Sequence, residues 1–184
     1  MARGDIGATR IRGMAEAHVQ ELLDGLEAAR NEFLAALDDI DPALRLTPGL
    51  VEDWSARDLL AHAGYWTGHA AEALHRAEQG ELSDFGRDEL SVDERNEVVK
   101  RVARETDFAT VASREQSAYD AFVARLTTVD PESLGDRNAE GDTLEEIVGF
   151  DGADHYREHT LDIRAWFDGK DASDEADADE ADAD

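Results

Sequence analysis

The sequence predicts an all-α protein with the architecture of a four-helix bundle. Four stretches repeat apolar residues at the spacing of an amphipathic helix, and no stretch of the 184 residues alternates as a strand does. The second of these stretches is rich in alanine and glycine, which let a neighbouring helix come close or leave room for a ligand. Because bundles of this kind build metal sites from facing helices, histidines on inner faces are candidate ligands.

Helix 1 is predicted over residues 14–38, where apolar positions keep the helical period until Asp41-Pro42 ends it. Residues 1–13 contain arginines but no apolar run, so we expect them to form a flexible N-terminus without a signal sequence. His18 falls among the polar positions of helix 1, and we expect a solvated side chain there.

Helix 2 has well-marked ends. Ser55 is a suitable N-cap, Asp58 takes the capping-box position, and Gly80 stops the helix after about residue 78. His62 lies on the inward stripe, next to Trp66. A lone histidine in such a place is usually a hydrogen-bonded core residue unless other ligands face it.

Helix 3 is predicted in two pieces, residues 91–105 and 107–129. One continuous helix of this length would measure about 58 Å and overshoot its partners, so we expect a break near Thr106-Asp107. Helix 4 is predicted from Thr143, whose capping box Glu146 completes, to about Phe167.

His155 and His159 lie one turn apart on the apolar stripe of helix 4, a spacing that lets two imidazoles hold one metal ion. Taken alone, this HxxxH pair is a weak signal. Rises of 1.5 Å per residue put His62 about 10 Å from the start of helix 2, and His159 and His155 about 12 and 18 Å from the end of helix 4. The three rings therefore meet if helices 2 and 4 are antiparallel.

That arrangement requires helices 2 and 3 to run in the same direction, joined by a long crossover. Residues 80–90 are polar and reach at most about 40 Å when extended, which is just enough. His69 lies on nearly the same face as His62, about 21 Å along helix 2, and is an alternative third ligand. Of the two we favour His62.

The chain is strongly acidic, with 18 Lys and Arg against 45 Asp and Glu and a net charge of -27. Residues 168–184 contribute -8 of this, so most of the acidity belongs to the bundle, and we expect the tail itself to be disordered. Self-repulsion of this size is best screened in molar salt, where the Debye length is roughly 3 Å. We interpret the chain as a halophilic, cytoplasmic protein and expect neither nucleic acid nor membrane as a partner.

There is no cysteine, which excludes disulfides, thiolate ligands and a cysteine nucleophile. No stretch approaches the roughly 18 apolar residues of a membrane span.

Two motifs resemble a known family. Residues 54–62, WSARDLLAH, followed by Trp66, resemble the WS-x-x-DLLAH…W segment of DinB-like four-helix proteins, the group that includes the YfiT and maleylpyruvate isomerase N-terminal domains. Residues 155–159, HYREH, followed by IRAW at 163–166, resemble the end of its ClbS/DfsB branch. The similarity covers about residues 14–167.

The resemblance implies an up-down-down-up bundle, often dimeric, that holds a divalent metal, commonly zinc or nickel. The three ligands of the family map onto His62, His155 and His159. Some relatives have a glutamate at a helix 4 position, and some members of the ClbS branch lack the triad. Activities in the family include transfer and isomerisation with low-molecular-weight thiols and, in the ClbS branch, detoxification of a reactive genotoxin.

Three functional hypotheses follow. In the first, a metal-dependent transferase or hydrolase acts on a small-molecule substrate, since three neutral ligands leave an open position for activating water or a thiol. Asp151 and Asp162, one turn either side of the pair, are candidates to orient the imidazoles. In the second, a ClbS/DfsB-type protein binds or sequesters a small molecule without catalysis or metal. In the third, the histidines only stabilise a dimeric bundle.

Overall fold

The computed structural model describes residues 3–87 and 90–181, and the side chains within 13–87 and 90–170. This part of the chain forms six α-helices: α1 Arg3–Asp38, α2 Ala56–Gln79, α3 Val92–Arg104, α4 Phe108–Thr128, α5 Leu144–Val148 and α6 His155–Ala181. A π-helical segment, Gly149–Asp154, joins α5 to α6. Predicted helix 3 corresponds to α3 with α4, and predicted helix 4 to α5, the π-helical segment and the first half of α6.

The helix starts follow the predicted capping residues. Ser55 accepts from the Asp58 backbone N–H at 3.2 Å, and the Asp58 carboxylate accepts from the Ser55 N–H at 3.1 Å. Thr143 and Glu146 form the same reciprocal pair. Gly80 closes α2 with a φ of 74°, a left-handed conformation that suits glycine. These capping predictions are confirmed.

The four long helices run up, down, down and up. Helices α2 and α4 are parallel, because their contacts advance together: Arg57 meets Thr106, and Glu78 meets Arg125. Helix α6 is antiparallel to α2, because their contacts advance in opposite directions: His62 faces His159, farther along α6, whereas Thr67 faces Tyr156.

Helix α1 is parallel to α6. The Arg157 guanidinium donates to the Gly25 carbonyl at 3.4 Å, and Arg164 lies 3.7 Å from Glu32. The predicted break in helix 3 is confirmed by the end of α3 at Arg104 and the start of α4 at Phe108, with Asp107 as N-cap.

The crossover between the parallel helices takes a different form from the predicted extended stretch of residues 80–90. Helix α3 itself runs back along α2: Asn96 accepts from the Trp66 indole at 3.1 Å, and Arg104 donates to Asp58 at 3.3 Å. A turn at residues 105–107 then reverses the chain into α4. Helix α3 buries Lys100 and Ala103 in this position, whereas Val92, Val98 and Val102 stay exposed.

The core lies between α1, α2, α4 and α6, and its side chains are large and apolar. Those at most 2% exposed include Leu26, Phe33, Leu59, Leu60, Phe122, Leu126, Leu144 and Ile163. Among the described residues, no helix is both long and apolar enough to cross a bilayer.

The division into an N-terminus at 1–13, a bundle at 14–167 and a tail at 168–184 stays a prediction. The backbone of α1 begins at Arg3 and that of α6 continues to Ala181, so both helices extend into the terminal ranges. Residues 1–2 and 182–184, and the side chains of residues 3–12 and 171–181, lie outside what is described.

Candidate metal centre

Three imidazoles from two helices come together on the inner side of the bundle. One ring nitrogen from each of His62, His155 and His159 lies within 4.8 Å of the other two. The His62 ring centroid is 4.7 Å from that of His155 and 5.0 Å from that of His159. The antiparallel packing of α2 and α6 therefore brings the three predicted ligand residues together.

Two tryptophans shield His62 from solvent. The Trp54 ring stands edge-on to the imidazole at 5.0 Å, and the Trp66 ring lies 6.3 Å away. His62 is 6% exposed, and its Nδ1 has no hydrogen-bond partner among the described residues. A buried ring nitrogen without a partner is unfavourable unless another group, such as a cation, binds it.

The π-helical segment sets the start of α6 at His155. Gly152 lies in the middle of this segment, and a Cβ there would come within 2.8 Å of the Phe122 ring on α4. Only glycine lets the segment approach α4 so closely, and this approach carries the start of α6 into the bundle. The predicted single helix from 143 to 167 is thus interrupted immediately before the first candidate ligand.

A buried polar network fixes the rotation of α6 about its axis. The Tyr156 hydroxyl donates to Glu115 Oε1 at 2.6 Å and accepts from the Thr67 hydroxyl at 3.0 Å. Arg30 on α1 donates twice to the Glu115 carboxylate, at 2.7 Å each. Because Tyr156 lies between His155 and His159 in sequence, this anchor directs both imidazoles toward His62.

Burial keeps two of the imidazoles neutral. It lowers the pKa of His62 to about 3, with a further lowering by His159 and a small opposing effect of Asn96. Burial also lowers the pKa of His155 to about 2, again assisted by the neighbouring His159 and His62. Neutral imidazole is the form that ligates metal, so these two rings are in the required state at pH 7.

Only one of the two predicted orienting carboxylates holds a member of the triad. His159 Nδ1 lies 2.8 Å from Asp162 Oδ2, so Nδ1–H donates to the carboxylate and Nε2 is left facing His155. Asp151 binds His69 instead, with Nδ1 and Oδ2 2.7 Å apart. The expectation that Asp151 orients an imidazole of the HxxxH pair is wrong, because its place in the π-helical segment directs it toward α2.

His69 does not join the triad. It is held by Asp151 and packs on Phe85 at 4.6 Å and Trp66 at 5.1 Å between ring centroids. It is thus His62 and not His69 that lies beside His155 and His159, and the role of His62 as third ligand stays a prediction. His18 and His75 are partly exposed, and both have polar partners, Glu145 and Arg125 respectively.

The residues fit a divalent cation. A tetrahedral zinc ion with bonds of about 2.0–2.1 Å keeps its nitrogen ligands about 3.4 Å apart. The Nε2 atoms of His155 and His159 are 3.2 Å apart, and His62 supplies the third nitrogen within the same cluster. Three features of a histidine metal site are present: two rings kept neutral by burial, converging nitrogens and a carboxylate behind one ring.

Sequence reasoning missed Arg30, Thr67 and Glu115, which anchor Tyr156. Tyr156 is 1% exposed and hydrogen-bonded on both sides. The sequence did indicate that Glu115 and Arg30 are buried, because both fall at inward positions of their helices and carry opposite charges.

Comparisons with known proteins give structural matches only. No protein-family model and no curated protein matches the sequence. An uncharacterised protein from Escherichia coli UTI89 superposes with a TM-score of 0.69 at 15% identity, covering 83% of this chain and 94% of that one. The colibactin self-resistance protein ClbS, solved in complex with a dsDNA, gives 0.66 at 16% identity, with coverages of 80% and 94%.

A mycothiol-dependent maleylpyruvate isomerase gives a TM-score of 0.66 at 17% identity, covering 79% of this chain but 60% of that enzyme. At these identities the matches establish the architecture alone. The expected likeness to this group is confirmed at that level, and the chain has the DinB-like helical-bundle fold that ClbS and the isomerase share.

Proposed function

We propose that the chain is a metal-dependent enzyme in which His62, His155 and His159 hold a divalent cation, zinc or nickel. The observation that carries the proposal is the convergence of three ring nitrogens from two helices within 4.8 Å of one another. When bound, the cation would supply Lewis acidity, which favours the deprotonated form of a nearby water or thiol at neutral pH.

The chain's own residues prepare the site in three ways. Asp162 holds His159 in the tautomer whose Nε2 is free to ligate. Trp54 and Trp66 cover His62 and keep water from one side, which strengthens electrostatic interactions there. Three neutral ligands leave the charge of the cation undiminished and a coordination position open for a substrate.

The reaction we propose is transfer or hydrolysis on a small molecule, with water or a low-molecular-weight thiol as nucleophile. The absence of cysteine supports an external rather than a protein thiol. The shared architecture with a mycothiol-dependent isomerase is consistent with thiol chemistry, although this chain spans only 60% of that enzyme.

The alternative is a protective protein that binds a small molecule without metal, as the shared fold with the resistance protein ClbS suggests. ClbS was solved with double-stranded DNA, but we do not extend DNA binding to this chain. A net charge of -27 repels phosphates, and cationic contacts to phosphates dominate DNA affinity.

The decisive experiment is elemental analysis of protein purified without chelator. We expect about one divalent ion per chain, as three histidines form one site. His62→Ala and His159→Ala should lose the ion while far-ultraviolet circular dichroism stays helical. The matched control is His75→Ala, on the same helix as His62 but 39% exposed at its side chain, which should keep the ion.

A metal-free but folded wild-type protein that also takes up no added zinc or nickel would overturn the enzyme proposal and favour the protective one. If His62→Ala unfolds the bundle in the presence of chelator, the histidines are there for stability instead.

A further inference from the structure

A second concave site lies between α2, α3 and α4, separate from the imidazoles. Its volume is about 320 Å³, at the lower end of the roughly 300–1,000 Å³ typical of small-molecule pockets. We call it the α3 cavity; its walls include Ala61, Gly64, Tyr65, Val98, Val102 and Arg114. Successive helical residues rotate by about 100°, so positions 61, 64 and 65 face a different side of α2 from positions 62 and 66.

Small residues shape this cavity. A Cβ on Gly64 would lie 3.0 Å from the Cα of Glu115, so α2 and α4 are in close contact at its floor. Helix α3 lies outside this contact, and the cavity is the gap between α3 and the α2–α4 pair. Val98 is 38% exposed and Val102 46% exposed at the rim, beside Tyr65 at 38%. Such grouped apolar exposure favours an apolar ligand that covers it.

The charge on the cavity wall is positive, unlike that of the chain as a whole. Arg114 is exposed, and within the described chain it forms no ion pair or hydrogen bond. The neighbouring Glu115 carboxylate is already neutralised by the two 2.7 Å contacts from Arg30. An unpaired guanidinium beside an apolar cavity therefore stands out in a chain with a net charge of -27.

We propose that the α3 cavity binds a small amphipathic carboxylate, with its apolar chain between the valines and its carboxylate on Arg114. The planar guanidinium presents paired N–H donors that match a carboxylate. A volume of about 320 Å³ suits a single acyl chain or aromatic ring rather than a polypeptide segment. This site goes beyond the proposed enzyme function and does not depend on any metal.

The test is calorimetric titration of the full chain with decanoate, and with decanol as its uncharged counterpart. We expect saturable 1:1 binding of decanoate, equal in the presence and absence of chelator. Arg114→Gln should weaken decanoate binding about tenfold, as expected for loss of one charge-assisted contact, while leaving decanol binding unchanged. Arg101→Gln, at an exposed arginine of α3 outside the cavity wall, is the matched control and should have no effect.

A second variant tests whether ligand binding needs the open volume of the α3 cavity. Ala61→Leu should fill the cavity and weaken decanoate and decanol alike, with circular dichroism unchanged. Absence of saturable binding overturns the proposal, as does an equal effect of the Arg114 and Arg101 substitutions. If the wild type is a dimer that Val102→Asp converts to a monomer, the occupant is a second copy of the chain, and the proposal also fails. Because chelator should not matter, these failures are distinct from failure of the metal proposal.

Discussion

At the scale of single residues, one buried carboxylate connects the four long helices. Glu115 on α4 is 2% exposed and accepts from Arg30 on α1 and from Tyr156 on α6, and Tyr156 accepts from Thr67 on α2. Buried charges are tolerated only when they are paired and hydrogen-bonded. The position of α6, and with it of two imidazoles, therefore depends on a group that lies outside the triad.

Replacement of this carboxylate should be costly. We expect Glu115→Gln to lower the free energy of unfolding by about 3 kcal/mol, because Arg30 stays buried without its counter-charge. Tyr156→Phe, which removes one hydroxyl, should lower it by about 1–2 kcal/mol. Urea unfolding in the presence of chelator measures both.

The control is Glu72→Gln, which breaks the exposed pair with Arg76 on α2 and should change stability by less than about 0.5 kcal/mol. A Glu115→Gln variant as stable as this control would show that the network does not hold the helices together.

The convergence of the three histidines was predictable from the sequence, whereas their role as metal ligands stays a prediction. His62, His155 and His159 lie on the apolar stripes of their helices. Their distances from the helix ends placed the three rings at similar heights in the bundle. Glu115 and Arg30 lie on comparable stripes, but their partnership depends on the packing of α1 against α4. No spacing within either helix reveals that packing.

At the scale of elements, the π-helical segment could not be predicted from the spacing of apolar residues, which indicated one continuous helix from Thr143 to about Phe167. Its extra residue per turn shifts the face that α6 presents, and Gly152 allows it to lie against Phe122. By contrast, the capping boxes at Ser55 and Thr143 were readable, because both partners lie within four residues of sequence.

Gly152→Ala should destabilise the protein by about 1–3 kcal/mol, since the added methyl meets the Phe122 ring at 2.8 Å. It should also weaken zinc binding, because a displaced π-helical segment shifts His155. Thermal or urea unfolding and competition with a zinc chelator measure the two effects.

Gly149→Ala provides the control within the same segment. Its backbone is helical, and an added Cβ would meet only Asp154 Oδ2 at an ordinary 3.7 Å, so we expect stability to stay equal or to rise by up to about 1 kcal/mol. Equal effects of the two substitutions would mean that the contact with Phe122 is not a constraint.

At the scale of the whole molecule, the architecture was predictable and the form of the crossover was not. Period and caps indicated four helices, the convergence of the histidines required helices 2 and 3 to be parallel, and the family resemblance implied the up-down-down-up order. Residues 91–105 were predicted as the first piece of a helix 3 that runs parallel to helix 2, and this is wrong for that piece, because the chain returns along α2 through α3 before it turns into α4. The contacts of Asn96 and Arg104 with α2 settle that direction.

The net charge of -27 also acts on the molecule as a whole, through self-repulsion that salt screens. We expect a rise from 0.1 to 2 M KCl to increase the free energy of unfolding at pH 7 by at least about 1 kcal/mol, or about 2–4 °C in melting temperature. Calorimetry at several salt concentrations measures this.

The same series at pH 5, closer to the sequence pI of 4.3, is the control. The salt effect should shrink there as carboxylates take up protons. A stability that is independent of KCl at pH 7 would contradict the halophilic interpretation, which stays a prediction. The homodimer that the family resemblance implies also stays a prediction.

Helix α3 rests on the outside of the frame formed by the four long helices, with Lys100 and Arg104 holding it to Asp53 before α2. Detaching it would break these surface contacts but expose few further apolar side chains, because Val92, Val98 and Val102 are already exposed. Its local opening therefore requires less free energy than global unfolding. Helix α3 could therefore move away from α2 while the four long helices stay packed together. A small-molecule ligand could then enter the α3 cavity beside this helix without any rearrangement around the histidines.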